Sequence, residues 1–593
     1  MIKILLALTM VKADECFEKF EKGESYETIF NSYSYSGKGI NEEGKVEACK
    51  RAQMKYYVLV KKRSENQDEF HLGICLPLVC DKENLNKSAE KYGFVVEELP
   101  DYKISNTGLI FLMFLLVFVF TCIISTGVEY VFPNMRDLEV IKTFSSYSAF
   151  NQLFQTRPEN DLSSLNGLKV ISFLMVIYGH VFVIKPMTSL LNVEEVQYVF
   201  KHWWGVLAYT CFFAVDIFFV LSGFLLSYFL LIQLHKYKKV SFFLLYLHRV
   251  LRILPVMLII IGIDYFLIPS INSSPTWKYY KQSMVTDCDK NWWSNALFIN
   301  NFYPNPNTCF GVGWYLANDM QFFIISPIIV YLYFKTEKKF FFWIFSSICF
   351  VSVFLISFFI AKHYEFGLSP FDPNNIKSDH NSFDDYYIRP YVRFSPYLQG
   401  IILGILYYQF KNPLFKGDFM ATGIVNAIDK NKFVQGCLVV CGFLIMITSV
   451  TIQLPVHENV LNDGIWSRDK NALVMAYIRF SFTFGLALVM LPTLMGKIGF
   501  LNSLLSLSLF EPLSKLTYSG YLIHLSVLTY INLSAHHSFL SGISVLREFL
   551  ICSIFTLIIA CFIYVWIEIP LQNLESLLIS KFKKPNSKET VNK

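Results

Sequence analysis

Charged residues are scarce in this 593-residue chain. They make up 17% of it, whereas 54% of the chain is hydrophobic and 58 residues are phenylalanine. This composition is too apolar for an ordinary soluble protein of several domains, and it indicates a chain that folds in a bilayer. The formal net charge of +6 is small for this length. It therefore does not indicate a nucleic-acid-binding surface, and we expect no nucleic-acid partner.

Several common catalytic and cofactor motifs are also missing. The sequence has no glycine-rich phosphate loop, no G-x-S-x-G nucleophile elbow and no cysteine/histidine cluster with zinc spacing. We therefore expect no bound cofactor and no metal. It also shows no internal repeat, a feature that transporters often have. This absence modestly favours an enzyme over a transporter.

Long apolar runs fill most of the chain after residue 104. Each is close to the ~20 residues that cross ~30 Å of hydrocarbon. The fold class predicted is an all-α polytopic membrane protein with a small disulfide-containing N-terminal domain outside the cytosol. Eleven membrane-spanning helices are predicted, at 107–127, 165–187, 205–232, 250–269, 313–334, 339–362, 394–410, 435–453, 473–493, 514–533 and 549–569.

The first hundred residues differ from the rest. Residues 1–13 resemble a short signal peptide, and residues 14–104 are polar enough to form a small ectodomain. Such a domain buries little core, so disulfides would matter, although scattered free thiols are the alternative. Four cysteines allow three pairings, and we favour separate partners for the last two. The four are Cys16, Cys49, Cys75 and Cys80.

Basic loops predict the orientation of the chain. Lysine-rich segments at 235–239, 335–339 and 411–432 and the tail 576–593 favour the cytosolic side, which places the N-terminus outside and the C-terminus in the cytosol. Glycosylation sequons and disulfides both belong outside. The plasma membrane and an endomembrane both remain open. The candidates that fall in the outer segments are the sequons Asn86, Asn272 and Asn532 and the pair Cys288 and Cys309.

Ionisable residues lie within or at the ends of the predicted spans, where each costs a few kcal/mol unless it has a partner or a function. His180 lies well inside its span, where a neutral imidazole can serve as a base. The alternative is a structural ion pair or a snorkelling side chain, above all for Lys169, Arg249 and Glu568. The residues concerned are Lys169, His180, Asp216, Arg249, Arg252, Asp319, Arg393, Arg479, His524 and Glu568.

Four strings in a fixed order resemble the acyltransferase-3 family of membrane proteins, and most closely its animal nose-resistant-to-fluoxetine-like branch. The resemblance covers residues 160–575, after a first membrane helix at 105–130. The strings are LNGLK at 165–169 with His180 eleven positions after the lysine, VDIFFVLSGFL at 215–225, HRVLRILP at 248–255 and WYLANDMQFF at 314–323.

This resemblance implies an enzyme that moves acyl groups from acyl-CoA, as cosubstrate, to a lipid or small-molecule hydroxyl acceptor. It implies that His180 is the catalytic histidine and that Asp216 orients or polarises a neighbour. Lys169, Arg249 and Arg252 would bind acyl-CoA, although Lys169 stands where the family has arginine and lacks its bidentate fork. A non-enzymatic lipid or xenobiotic transporter on the same fold is the alternative. Further polar site candidates are Asp319, Arg393 and His524.

Overall fold

A computed structural model provides the structure of the chain. It describes residues 31–32, 34–36, 44–64, 67–78, 80–90, 93–98, 103–135, 137–155, 162–185, 190–271, 277, 287–303, 308–367, 382–413, 417–455, 466–533 and 538–583. The expected signal peptide, Cys16 and Asn272 lie outside these residues.

The N-terminal domain contains a three-stranded antiparallel sheet. Aromatic and β-branched residues of the first strand favour extended backbone, and this strand pairs with both others in the order β2-β1-β3. A disulfide joins Cys49 to Cys75, and Cys80 is also disulfide-bonded. The expectation of disulfides in this domain is therefore confirmed. Its elements are α1 (Val46–Arg51), β1 (Lys55–Ser64), β2 (Gln67–Leu76), α2 (Lys82–Glu90) and β3 (Phe94–Glu98).

Helices make up nearly all of the remaining described structure. They are α3 (Asn106–Val131), α4 (Glu139–Phe144), α5 (Ser146–Phe154), α6 (Ser164–Ile184), α7 (Trp203–Thr210), α8 (Ala214–Tyr237), α9 (Phe242–Gly262), α10 (Cys288–Ala296), α11 (Trp314–Lys335), α12 (Phe340–His363), α13 (Pro390–Lys411), α14 (Phe419–Lys430), α15 (Lys432–Thr451), α16 (Arg468–Leu494), α17 (Gly499–Leu505), α18 (Phe510–Leu533), α19 (Gly542–Ile563) and α20 (Ile569–Lys583).

Shorter helical turns extend or join several of these helices. The π-helical ones are Ile263–Leu267, Phe383–Tyr387 and Tyr564–Glu568. The 3-10 turns are Pro133–Met135, Val193–Lys201, Cys211–Phe213, Ile268–Ser270, Asn300–Phe302 and Gly311–Gly313.

Each of the eleven predicted spans coincides with a long helix, which confirms the polytopic all-α fold. Within the described part of the chain, nine helical segments are long and apolar enough to cross a membrane. The two that fall short are α13 and α18, which carry Arg393 and His524. Both helices also contain many uncharged polar residues, which lower their hydropathy further.

The helix pair α8 and α13 forms the centre of the bundle, with the most extensive contact between any two helices described. Glycines permit this approach. A Cβ built at Gly400 would collide with the Val220 carbonyl, and one at Gly404 would collide with Ser227. Small residues spaced four apart are typical of closely packed membrane helices. This close packing brings Asp216 on α8 next to Arg393 on α13.

A disulfide joins Cys288 at the start of α10 to Cys309 ahead of α11. The pairing expected from the sequence is thus confirmed. Together with the 3-10 turn at Gly311–Gly313, it fixes the entry to α11, which carries Asp319.

Candidate functional site

A cavity of about 740 Å³ opens between the starts of α6 and α18 and the middle of α8, α9 and α11. Three residues expected to bind acyl-CoA, Lys169, Arg249 and Arg252, line it together. Apolar and aromatic side chains such as Phe218 and Leu225 cover much of the remaining wall. The cavity therefore combines a cationic cluster with an apolar surface.

Arg249 is held in place by three contacts. Its guanidinium forms an ion pair with Asp319, donates to the Ser222 hydroxyl at 3.2 Å, and lies 3.9 Å from the centre of the Phe323 ring. The side chain of Asp319 is 7% exposed and that of Arg249 is 20% exposed. The positive charge of Arg249 at the cavity wall is therefore already neutralised by the carboxylate of Asp319. Ser222 lines the cavity, and its neighbour Gly223 packs against α13.

The other two cations have no such partner. Among the described residues, neither Lys169 nor Arg252 forms a hydrogen bond or an ion pair within 4 Å. Lys169 is half-buried on α6 and Arg252 is exposed on α9, one turn beyond Arg249. These two side chains are therefore the ones with donors available for an anionic ligand.

His180 and His524 lie against each other. Nδ1 of His180 is 3.2 Å from Nε2 of His524, and the ring centres are 4.9 Å apart. Each Nδ1 also faces a backbone carbonyl of its own helix, at 2.9 Å from Val176 for His180 and at 2.6 Å from Tyr521 for His524. The structure thus brings together the expected catalytic histidine and one of the further polar candidates.

Asp216 forms ion pairs with two arginines. Its Oδ1 accepts from Nη1 of Arg393 at 2.8 Å, and its Oδ2 accepts from Nη1 of Arg479 at 3.3 Å. The Tyr387 ring covers both guanidiniums, at 4.0 Å and 4.8 Å. The neighbour that Asp216 orients is therefore a pair of arginines, and its carboxylate makes no hydrogen bond to His180. Its catalytic role remains a prediction.

A row of aromatic rings connects the cavity to the histidine pair. Tyr315 and Tyr518 line the cavity. Tyr315 lies 5.4 Å from Tyr521, and Tyr521 lies 5.5 Å from His524. The spacing of Tyr518, Tyr521 and His524, three residues apart on one helix, is a signal in the sequence that points to one shared face, but it does not show which face.

Lys515 and Glu568 complete the cavity wall, and neither was assigned to the acyl-CoA site from the sequence. Nζ of Lys515 donates to carbonyls at the C-terminal end of α5, including that of Gln152 at 3.0 Å. The carboxylate of Glu568 accepts from Ser519 and from Gln572. Both charges are thus used to anchor neighbouring helices.

The two described sequons differ. Asn86 lies on α2 of the N-terminal domain, where its Oδ1 accepts from the backbone N–H of Val96. Asn532 is only 3% exposed at the end of α18, and its amide donates to the Leu528 carbonyl. Because neighbouring side chains cover Asn532 in this conformation, a glycan cannot be attached to its amide nitrogen, and Asn532 is a poor candidate for glycosylation.

Among the described residues, no group of three or more metal-ligating side chains comes together.

Comparison with known proteins gives the family. Residues 162–565 match the model of the acyltransferase-3 family, described as an acyltransferase domain. The chain belongs to the acyltransferase-3 family. The match contains both residues of the histidine pair and every residue that lines the cavity except Glu568. It confirms the resemblance seen in the four strings.

Two curated relatives are similar to this acyltransferase-3 protein. Nose resistant to fluoxetine protein 6 of Caenorhabditis elegans is 26% identical over 475 residues, which cover 76% of this chain and 56% of the relative. Regulator of hypoxia-inducible factor 1 of the same organism is 30% identical over 145 residues, which cover 21% of this chain and 27% of the relative. The chain therefore spans about half or less of the curated relatives it matches. No solved structure matches it.

Proposed function

We propose that this acyltransferase-3 protein transfers an acyl group from acyl-CoA to a hydroxyl group of a lipid or small molecule. The observation that carries the proposal is the cavity in which Lys169 and Arg252, two cations that form no ion pair within 4 Å in the described part of the chain, lie beside an apolar wall. Cationic side chains suit the phosphates of coenzyme A, and apolar surface suits its acyl chain. We assign this cavity to the cytosolic side, where the basic loops favour donor entry.

His180 is the proposed general base. It lies eleven residues after Lys169 on α6, close to three full turns, so the two residues share one helix face about 16 Å apart. The long pantetheine arm of the donor is suited to such a separation. In the proposed reaction His180 removes the proton from the acceptor hydroxyl, the oxygen bonds to the thioester carbonyl carbon, and the carbon–sulfur bond breaks. The proton then passes to the leaving thiolate, which gives an ester and free coenzyme A.

Arg249 has a supporting part in this proposal. Because Asp319 already pairs with it, its guanidinium offers less to a phosphate than that of Arg252 does. We assign phosphate binding to Lys169 and Arg252, and we assign to Arg249 the shape of the cavity wall.

The direct test is acyl-CoA binding and coenzyme A release by the full-length protein in lipid nanodiscs, with a mixture of candidate hydroxyl acceptors. We expect His180→Ala to bind the donor but release no coenzyme A. We expect Lys169→Gln combined with Arg252→Gln to lose binding. Lys432→Gln is the matched control, since this lysine begins α15, is exposed and does not line the cavity.

A second candidate function is the binding or passage of a lipid or xenobiotic without chemistry. The apolar wall of the same cavity, with Phe218, Leu225 and Phe229, favours it. In that case the protein would bind lipid in nanodiscs but would neither bind nor cleave acyl-CoA, and His180→Ala would leave coenzyme A release at the background level of the wild type.

A further inference from the structure

The histidine pair lies where α6 and α18 come close together. Gly520 permits this approach, since a Cβ at that position would contact the ring of Phe173 on α6. His524 is 1% exposed, whereas His180 keeps part of its surface accessible. The two rings come from positions 344 residues apart in the chain, so only the packing of these two helices creates the contact.

Hydrogen-bond roles in this pair follow from the backbone carbonyls. A carbonyl oxygen only accepts, so the Tyr521 carbonyl, 2.6 Å from Nδ1 of His524, requires a proton on that nitrogen. The Val176 carbonyl, 2.9 Å from Nδ1 of His180, requires the same there. A neutral His524 then has its lone pair on Nε2. That lone pair faces the Nδ1 proton of His180 at 3.2 Å.

The opposite arrangement is costly. A proton on Nε2 of a neutral His524 would turn the lone pair of its Nδ1 toward the Tyr521 carbonyl. A proton on both nitrogens would place a cation at a position that is almost fully buried among membrane helices, and such charges cost several kcal/mol. The arrangement with both Nδ1 atoms protonated avoids both penalties.

We infer that His524 is the positioning residue that holds His180 in its Nδ1–H tautomer and leaves Nε2 of His180 as the free basic nitrogen. Nε2 of His180 has no hydrogen-bond partner among the described residues. When it takes a proton, the imidazolium donates from Nδ1 to the neutral Nε2 of His524 and to the Val176 carbonyl. The buried second histidine thus takes the place that a carboxylate has in many catalytic triads, without adding a negative charge to the membrane interior. This inference deepens the proposed function and rests on it for the role of His180.

The first test is spectroscopic and does not depend on activity. Solid-state nuclear magnetic resonance of full-length protein with ¹⁵N-labelled histidine distinguishes protonated from unprotonated ring nitrogens. The His180 signals are assigned by their loss in His180→Gln. We expect Nδ1 protonated and Nε2 unprotonated in the wild type, and a mixture of tautomers in His524→Leu. A wild-type His180 protonated on Nε2 would overturn the inference.

The second test compares two substitutions of His524. His524→Gln keeps a carbonyl acceptor near the place of Nε2, whereas His524→Leu removes the acceptor at similar volume. We expect His524→Leu to lower kcat for coenzyme A release by at least about tenfold with an unchanged KM for acyl-CoA, and His524→Gln to restore most of it. Equal kcat values for His524→Leu and wild type, with folding intact by thermal denaturation, would overturn the inference. If the wild type itself turns over no acyl-CoA, the proposed function fails, and the resonance spectra still decide the tautomer.

Discussion

The cluster of Asp216, Arg393 and Arg479 and the ion pair of Arg249 and Asp319 both lie within the helical bundle, but they differ in exposure. Asp216 and Arg393 have no exposed side-chain surface and Arg479 has 13%. Arg249 keeps 20% exposed and faces the cavity. Arginine–aspartate pairs therefore have two different roles in this protein. The closed cluster joins α8, α13 and α16, whereas the open pair shapes the wall of a binding cavity.

The closed cluster provides the largest expected effect. In Asp216→Asn two buried guanidiniums lose their counter-charge, and breaking a buried ion pair in this way costs about 3–5 kcal/mol. We expect a large loss of folded protein, measured as monodisperse yield and as the thermal unfolding midpoint in detergent.

The control for this change is Asp429→Asn, whose pair with Lys497 is partly exposed at 38% and 29%. Exposed pairs contribute about 0–1 kcal/mol, so this variant should unfold near the wild type. Normal stability of Asp216→Asn with abolished coenzyme A release would instead give Asp216 the catalytic role that the resemblance implies.

The glycine contact that supports the closed cluster gives the next effect. Gly400→Ala places a methyl group against the Val220 carbonyl, and overpacking of this kind costs about 1–3 kcal/mol. Gly436→Ala, on a helix position where a Cβ meets nothing within 4 Å, should be neutral or stabilising. If both variants shift the unfolding midpoint in the same direction, close packing at Gly400 does not explain the α8–α13 contact.

The open pair is tested by donor affinity. We expect Arg252→Gln to weaken acyl-CoA binding about tenfold, or ~1.4 kcal/mol. Arg249→Gln should weaken it by less than about threefold, because its guanidinium is already paired with Asp319. Titration calorimetry in nanodiscs measures both. An equal or larger loss in Arg249→Gln would show that Arg249 contacts the donor directly.

Lys169 gives the smallest effect. Lys169→Arg restores the bidentate fork that suits phosphate, and we expect acyl-CoA to bind about two- to threefold more tightly by the same calorimetry. Lys432→Arg serves as the control outside the cavity and should change nothing. A weaker affinity in Lys169→Arg would indicate that the side chain at this position does not meet a phosphate.

The sequence motifs predicted residues of the site but not all of the contacts between them. The strings around His180, Asp216, Arg249 and Asp319 predicted the family and the three cations that line the cavity, Lys169, Arg249 and Arg252. They suggested that Asp216 orients or polarises a neighbour, and the structure shows that its neighbours are two arginines. The partner of His180 is His524, which the sequence presented as one of three further polar site candidates without indicating its contact.

The sequence by itself determined the membrane-spanning helices, the cysteines of the N-terminal domain and the set of ionisable residues, because apolar run length and residue type are local properties. Only the tertiary structure decided which charges are neutralised and which are available. Arg249 meets Asp319 across 70 residues, Asp216 meets Arg393 across 177, and His180 meets His524 across 344. Such partners are selected by helix packing, and packing depends on contacts between segments that lie far apart in the chain.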